Sequence, residues 1–108
     1  MGRYLANLPN LVIANGATAT TTPITSYLDD AKTLTISAPS ALTGTITVQI
    51  SVDGGTTYVD AGSGGSDITI GAGNAVTITD PSFNGLRVTS SIAEGAERTF
   101  SVIKSFEV

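Results

Sequence analysis

From residue 32 onward, apolar side chains recur at every second position, and no other feature limits the fold of this chain so strongly. "KTLTISA" sets Leu34 and Ile36 on one face against Thr33, Thr35 and Ser37 on the other. "TITVQISV" repeats the pattern with Ile46, Val48, Ile50 and Val52, and shorter runs follow at Val59/Ala61, Ile68/Ile70, Val76/Ile78 and Leu86/Val88. "TFSVIKSFEV" places Phe100, Val102, Phe106 and Val108 on one parity, with Ile103 and Lys104 breaking the alternation. A period of two is that of a half-buried antiparallel strand. The turn signals "DGG", "GSGGSD", "GAGN", "DP", "NG" and "AEG" separate the runs at short intervals. Charged residues make up only 13% of the chain, while threonine, serine and glycine are plentiful, which suits strands with neutral polar outer faces. The expectation is an all-β fold: an antiparallel β-sandwich, Ig-like or jelly-roll-like, of about seven to eight short strands.

The first thirty residues read differently. They contain one short strand pattern, Leu11 to Ala14, then a threonine-rich stretch ending at Pro23. This divides the chain into an extended N-terminal arm, residues 1–30, and a sandwich domain, residues 31–108. An arm carrying Tyr4, Leu5, Leu8, Leu11 and Ile13 is too apolar to lie bare in water. Two placements are open: it crosses to a neighbouring molecule, or it folds back as an edge strand. The first makes those five residues, with Ile103 on the last strand, the candidate partner interface. The alternative for the last strand is a single exposed isoleucine beside a lysine whose stem lies on the surface with its head in water.

Several function classes lose their chemistry here. The five basic residues, Arg3, Lys32, Arg87, Arg98 and Lys104, are scattered over a chain of net charge −4, so no phosphate-gripping patch forms and nucleic acid is not an expected partner. Histidine and cysteine are absent, which removes the usual general base at neutral pH, the Ser–His pair, disulfides and the commonest zinc ligands. Asn7, Pro9 and Asn10 interrupt the first apolar run before it reaches signal-peptide length, and Ala6 stands where a myristoylation start wants Ser or Thr. No stretch approaches the roughly 20 apolar residues of a membrane span, so a soluble chain without a membrane partner is expected. Glu94 and Glu97 flank a turn that offers no cleft to raise a carboxyl pKa, as glycoside hydrolysis would need. "GSGGSD" lacks the lysine and following helix of a phosphate loop. No catalytic residue, cofactor or metal site is expected, and the chain reads as non-enzymatic.

"SVDGGTTY" carries the most local information. Ser51, Asp53, Gly55, Thr57 and Tyr58 follow the pattern S-x-D-x-G-x-T-aromatic. An aspartate just after a strand accepts backbone N–H groups of its own turn, glycine supplies positive φ, and the closing aromatic covers the base of the hairpin. The stretch resembles the Asp-box, a hairpin motif of sialidase propellers and many unrelated β-proteins, with Tyr58 in place of the usual Trp. The resemblance implies a structural turn, since in that family the motif lies away from the catalytic residues. Calcium is a poor fit: Asp53-Gly54-Gly55 lacks the further ligands of an EF-hand loop, and Asp29-Asp30 and Asp67 stand apart from it.

Taken together, Ser51 to Tyr58, Gly64 to Ile78, and Phe83 to Val88 with its "LRV" resemble small β-rich structural proteins of tailed bacteriophages. The resemblance spans a little under half of the chain. It implies a virion structural protein, most like a capsid decoration (cement) protein on the capsid surface, with the major capsid protein as partner and a dimer or trimer on the shell. A head–tail, tail or baseplate protein shares these features, and a carbohydrate-binding β-sandwich module is the alternative of a different class.

Overall fold

The computed structural model describes residues 3–63 and 66–107. Among them there are ten strands and no helix: β1 (Arg3–Ile13), β2 (Thr33–Ser37), β3 (Ile46–Ser51), β4 (Val59–Asp60), β5 (Gly62–Ser63), β6 (Ser66–Asp67), β7 (Thr69–Ile70), β8 (Ala75–Thr79), β9 (Gly85–Ser90) and β10 (Arg98–Glu107). They form an antiparallel β-sandwich. One sheet has the order β1-β10-β2-β8. In the other, β9 pairs with β3 along its length, and the far side of β3 is shared by β4 and β7. Residues 18–24 lie along the outer side of β9, where Thr20 N donates to Val88 O (3.1 Å), Ser90 N to Thr18 O (2.8 Å) and Ile24 N to Leu86 O (3.0 Å).

Counting residues 18–24 as one unit and the β4–β7 run as another, the first unit pairs with the last, the second with the next to last, and so on inward. A long antiparallel ribbon rolled up on itself gives this nesting, and its eight-membered, two-sheet form is the jelly roll. That settles the choice between the two sandwich types left open by the alternation.

The alternating side chains meet between the sheets. Leu34, Ile36, Ile46, Val48, Leu86, Val88 and Phe100 are fully buried, and Phe100 is the largest of them. Where a run ends, the pattern stops predicting burial: Val52 and Val59 are exposed, since the chain has left the sheet after Ser51 and β4 is a two-residue edge.

The N-terminal segment departs from the reading of an extended arm on a sandwich domain. Residues 3–13 fold back as β1, an edge strand paired with β10, so the second of the two placements is the one observed. Leu8, Leu11 and Ile13 enter the core together with Ile24 and Leu28, and no domain boundary falls at residue 30. The alternation of β1 is disguised by an irregularity. Between the pairs Leu8↔Val102 and Leu11↔Phe100, β1 advances three residues while β10 advances two. The extra residue resets parity, so an even-numbered and an odd-numbered leucine face the same way. Pro9 sits in this bulge, on an edge strand, where its missing N–H is tolerated.

Candidate docking surface

The first and last strands outrun the rest of their sheet. β2 ends opposite Ser105, at Thr33, but Phe106 and Glu107 continue in register with Tyr4 and Arg3. The result is a two-stranded overhang at one end of a molecule 44 Å long and about 27 Å across. The Tyr4 and Phe106 rings stack there with centroids 5.8 Å apart. Tyr4 is 51% exposed, Leu5 72% and Tyr27, on the adjoining loop, 64%. Beside Tyr27 a shallow groove is lined by Ala6, Leu8, Pro9, Lys104 and Phe106.

Lys104 anchors this end. It shares parity with Phe100 and Val102, points inward and is buried, so it does not reach solvent from an exposed strand face as expected. Its ammonium donates to Tyr27 O (3.0 Å) and to Asp30 Oδ1 (2.5 Å), and it lies 5.2 Å from the centre of the Phe106 ring. The bond from Lys104 holds the Asp30 carboxyl below the usual carboxylate range. Tyr27 itself has φ +69°, a left-handed conformation that costs a non-glycine residue of order 1 kcal/mol or more. Its carbonyl, fixed by Lys104, holds the turn that keeps the ring exposed.

Of the six interface candidates, the structure keeps two fully at the surface. Tyr4 and Leu5 are exposed. Leu8, Leu11 and Ile13 are core residues, because β1 is part of the sandwich and not an arm, so they are not the exposed anchors of a free arm. Ile103 is half-buried on the outer face of its sheet, level with Asn7 on one side and Thr35 on the other. Val108 lies outside the described residues.

The Ser51–Tyr58 hairpin is built as a turn. Ser51 Oγ donates to Asp53 Oδ1 (2.6 Å) and accepts from Gly55 N (2.9 Å), while Asp53 Oδ1 also accepts from Thr57 N (2.9 Å). These bonds, first from Ser51 and then from Thr57 N–H, lower the Asp53 pKa. Gly54 and Gly55 have φ +77° and +98°, so both glycines of the pair are required, not Gly55 alone. Asn84, which follows Phe83, joins the turn by accepting from Gly54 N (2.9 Å). The Arg87 guanidinium lies over the Tyr58 ring at 4.4 Å. The Tyr58 hydroxyl is buried with no hydrogen-bond partner among the described residues, and burial raises its pKa.

Glu94 is the residue the sequence concealed. It sits not at a solvated tip but beneath the surface, its side chain wholly buried. Oε1 accepts from Thr43 N and Arg98 Nε (both 2.8 Å), and Oε2 from Gly44 N (2.9 Å) and Ser90 Oγ (2.7 Å). Burial alone would push this carboxyl up, but the bonds from Ser90, Thr43, Arg98 and Gly44 outweigh it and hold the pKa down to about 2. Its backbone also fastens the 16–17 turn, through Gly16 N to Glu94 O (2.8 Å) and Glu94 N to Ala17 O (3.1 Å). A carboxylate so saturated is a clasp between loops, unsuited to delivering a proton near neutral pH. Among the described residues no group of three or more acidic side chains gathers as a metal site, and no helix is present that could span a membrane.

No protein-family model matches this chain, and no curated protein does. In fold it is similar to a chain of the solved structure described as "Bacillus endospore appendages form a novel family of disulfide-linked pili". The TM-score is 0.53 at 16% sequence identity, covering 98% of this chain and 88% of that one. At that identity the likeness extends to the fold alone.

Proposed function

We propose that this chain is a non-enzymatic structural subunit that acts by docking, and that it decorates a bacteriophage capsid by binding the major capsid protein lattice. The observation that carries the reading is this end of the molecule: Tyr4 exposed on the two-stranded overhang, Leu5 exposed in the row next to it, and Tyr27 exposed on the adjoining loop. Exposed aromatic and aliphatic side chains held on rigid elements are what interface anchors are made of. The buried ionisable groups at Glu94 and Lys104 are taken up by internal bonds, which supports a role by contact. Jelly rolls recur in viral capsid and lectin domains. The phage-like stretches of the sequence supply the setting, and repetition of a modest contact over a lattice would supply avidity. The fold likeness to a pilus subunit is in keeping with a building-block role, although a chain without cysteine has no means of disulfide linkage.

The test is binding of the purified chain to expanded capsids that lack it. Tyr4→Asp and Leu5→Asp, at exposed positions, should leave the melting temperature unchanged and abolish attachment. Attachment of both variants at wild-type level would refute the assignment of this end. Co-purification with tails, and no binding to capsids, would move the protein to the head–tail, tail or baseplate class. The exposed Tyr27 ring beside the groove favours one second reading, a carbohydrate platform. Glycan-array binding lost in Tyr27→Ala would establish it.

A further inference from the structure

The sheet β1-β10-β2-β8 has two open edges, and they match. Among the described residues, nothing pairs with residues 3–8 of β1 on the side away from β10, nor with Ala75–Thr79 on the side away from β2. The opposite end of each edge is closed. Thr21 N bonds Val12 O (2.8 Å), covering the far part of β1, and the 71–74 turn ties β8 to β7.

Natural edges of this length carry guards such as a proline, a bulge or a charge. On β1 the guards are Arg3 at its start and Pro9 with its bulge after residue 8, which leaves residues 4–8 without one. β8 has none: its sequence is Ala-Val-Thr-Ile-Thr, uncharged and rich in β-branched residues. Asp80 N donates to Lys32 O and Asn74 O accepts from Ala38 N, so the even-numbered residues direct their amide groups to β2. The backbone polar groups of Ala75, Thr77 and Thr79 therefore face outward.

The two edges also sit at the same height. Leu5, Ser105, Thr33 and Thr79 form one row across the sheet, and Asn7, Ile103, Thr35 and Thr77 the next. With four strands alternating in direction, β1 and β8 run antiparallel. A second copy displaced sideways by one sheet width thus presents its β1 to β8 of the first in antiparallel sense, with no rotation to reverse it.

We propose that this chain self-associates head to tail by sheet continuation, residues 76–79 of one copy pairing with residues 5–8 of the next. Keeping the rows in line sets Thr79 against Leu5 of the next copy and Thr77 against Asn7. On the inner face, Ile78 meets Ala6 and Val76 meets Leu8, so apolar lies on apolar. Arg3 comes beside Asp80; neither is in an ion pair within its own chain among the described residues. The paired segments, residues 76–79 and 5–8, carry no charge, so chains of net charge −4 approach where repulsion is least. The contact is heterologous and does not close on itself as a two-fold dimer does. Sheet twist of roughly 20–25° per strand makes the row of copies coil.

The absence of cysteine makes the test direct. Thr77→Cys and Asn7→Cys variants are purified separately, mixed and oxidised. Within one copy these positions lie on opposite edges, about 14 Å apart across three strand spacings, too far for a disulfide. The expected product is a 7–77 cross-link in excess of 7–7 and 77–77, and the double variant should give a ladder of multimers on a non-reducing gel. Wild-type protein should show a concentration-dependent mass by sedimentation, and Thr77→Lys should weaken that association at least tenfold with its melting temperature unchanged. A wild-type chain that stays monomeric at millimolar concentration, or cross-linking dominated by 77–77, overturns the proposal. These measurements use no shell. A monomer that still coats particles would sink this inference and leave the decoration reading standing; a chain that assembles but ignores particles would do the reverse.

Discussion

Replacing Glu94 by Gln keeps the shape of the side chain and removes its charge, which isolates what the carboxylate contributes. In the best orientation the amide oxygen takes the Oε1 place, still accepting from Thr43 N and Arg98 Nε, while the amide nitrogen takes the place of Oε2. Ser90 Oγ adapts, because its hydroxyl can turn to Ile92 O, 2.7 Å away, and accept from the amide instead. The Gly44 N–H has no such freedom and faces another donor. One buried N–H left unmade costs about 1–3 kcal/mol, and Arg98, whose side chain is only 16% exposed, loses its counter-charge. Breaking a buried pair from one side typically costs about 3–5 kcal/mol, and that is the expected loss, against a total stability of about 5–15 kcal/mol for a domain.

Urea unfolding of both proteins at pH 7 measures the loss, and repeating it in acid tests the cause. The folded carboxyl is held at about 2, below its ordinary value of 4.5, so the folded state favours the charged form. Its stabilising effect is full above about pH 5 and fades as the pH falls toward 2. Glutamine has no such dependence, so the gap between wild type and variant should be widest at neutral pH and shrink steadily through that window. A gap below 1 kcal/mol at pH 7, or one unchanged down to pH 2.5, would refute the clasp.

Three further outcomes are expected. Tyr58→Phe deletes a buried hydroxyl without a partner, so stability should hold or rise by up to about 1 kcal/mol in urea; a clear loss would mean that the hydroxyl has a partner. Gly85→Ala should destabilise by about 1–3 kcal/mol, since the added methyl would sit 2.7 Å from Ser51 Cβ and 3.1 Å from the Tyr58 hydroxyl; an unchanged thermal midpoint would contradict the packing of the hairpin on β9. Removing residues 1–13 takes out Leu8, Leu11 and Ile13, each worth roughly 1.5–3 kcal/mol of burial, and should leave the chain unfolded by circular dichroism and proton–nitrogen correlation spectra. A folded truncate would restore the detachable arm.

The strands from residue 33 on and the hairpin at Ser51–Tyr58 are legible in the residues alone. A strand's period of two and a turn's demand for Asp and positive-φ glycine are written in consecutive residues, and neither needs a distant partner to be recognised. Lys104 was legible in principle, since it falls on the same parity as Phe100 and Val102, but an inward lysine makes sense only once Asp30 and the Tyr27 carbonyl arrive from 74 and 77 residues away. The first strand was masked by its bulge, which shifts parity and hides Leu8 and Leu11 as members of one face. Glu94 gave no local sign at all, for its backbone donors at Thr43 and Gly44 stand 51 and 50 residues off. Tertiary structure alone decided which edge each strand pairs with, and so the jelly roll, the overhang and the two matching edges. The physical reason is that side-chain alternation records which face of a strand is buried, whereas backbone hydrogen bonds, alike at every residue, select a partner only through the packing of the whole chain.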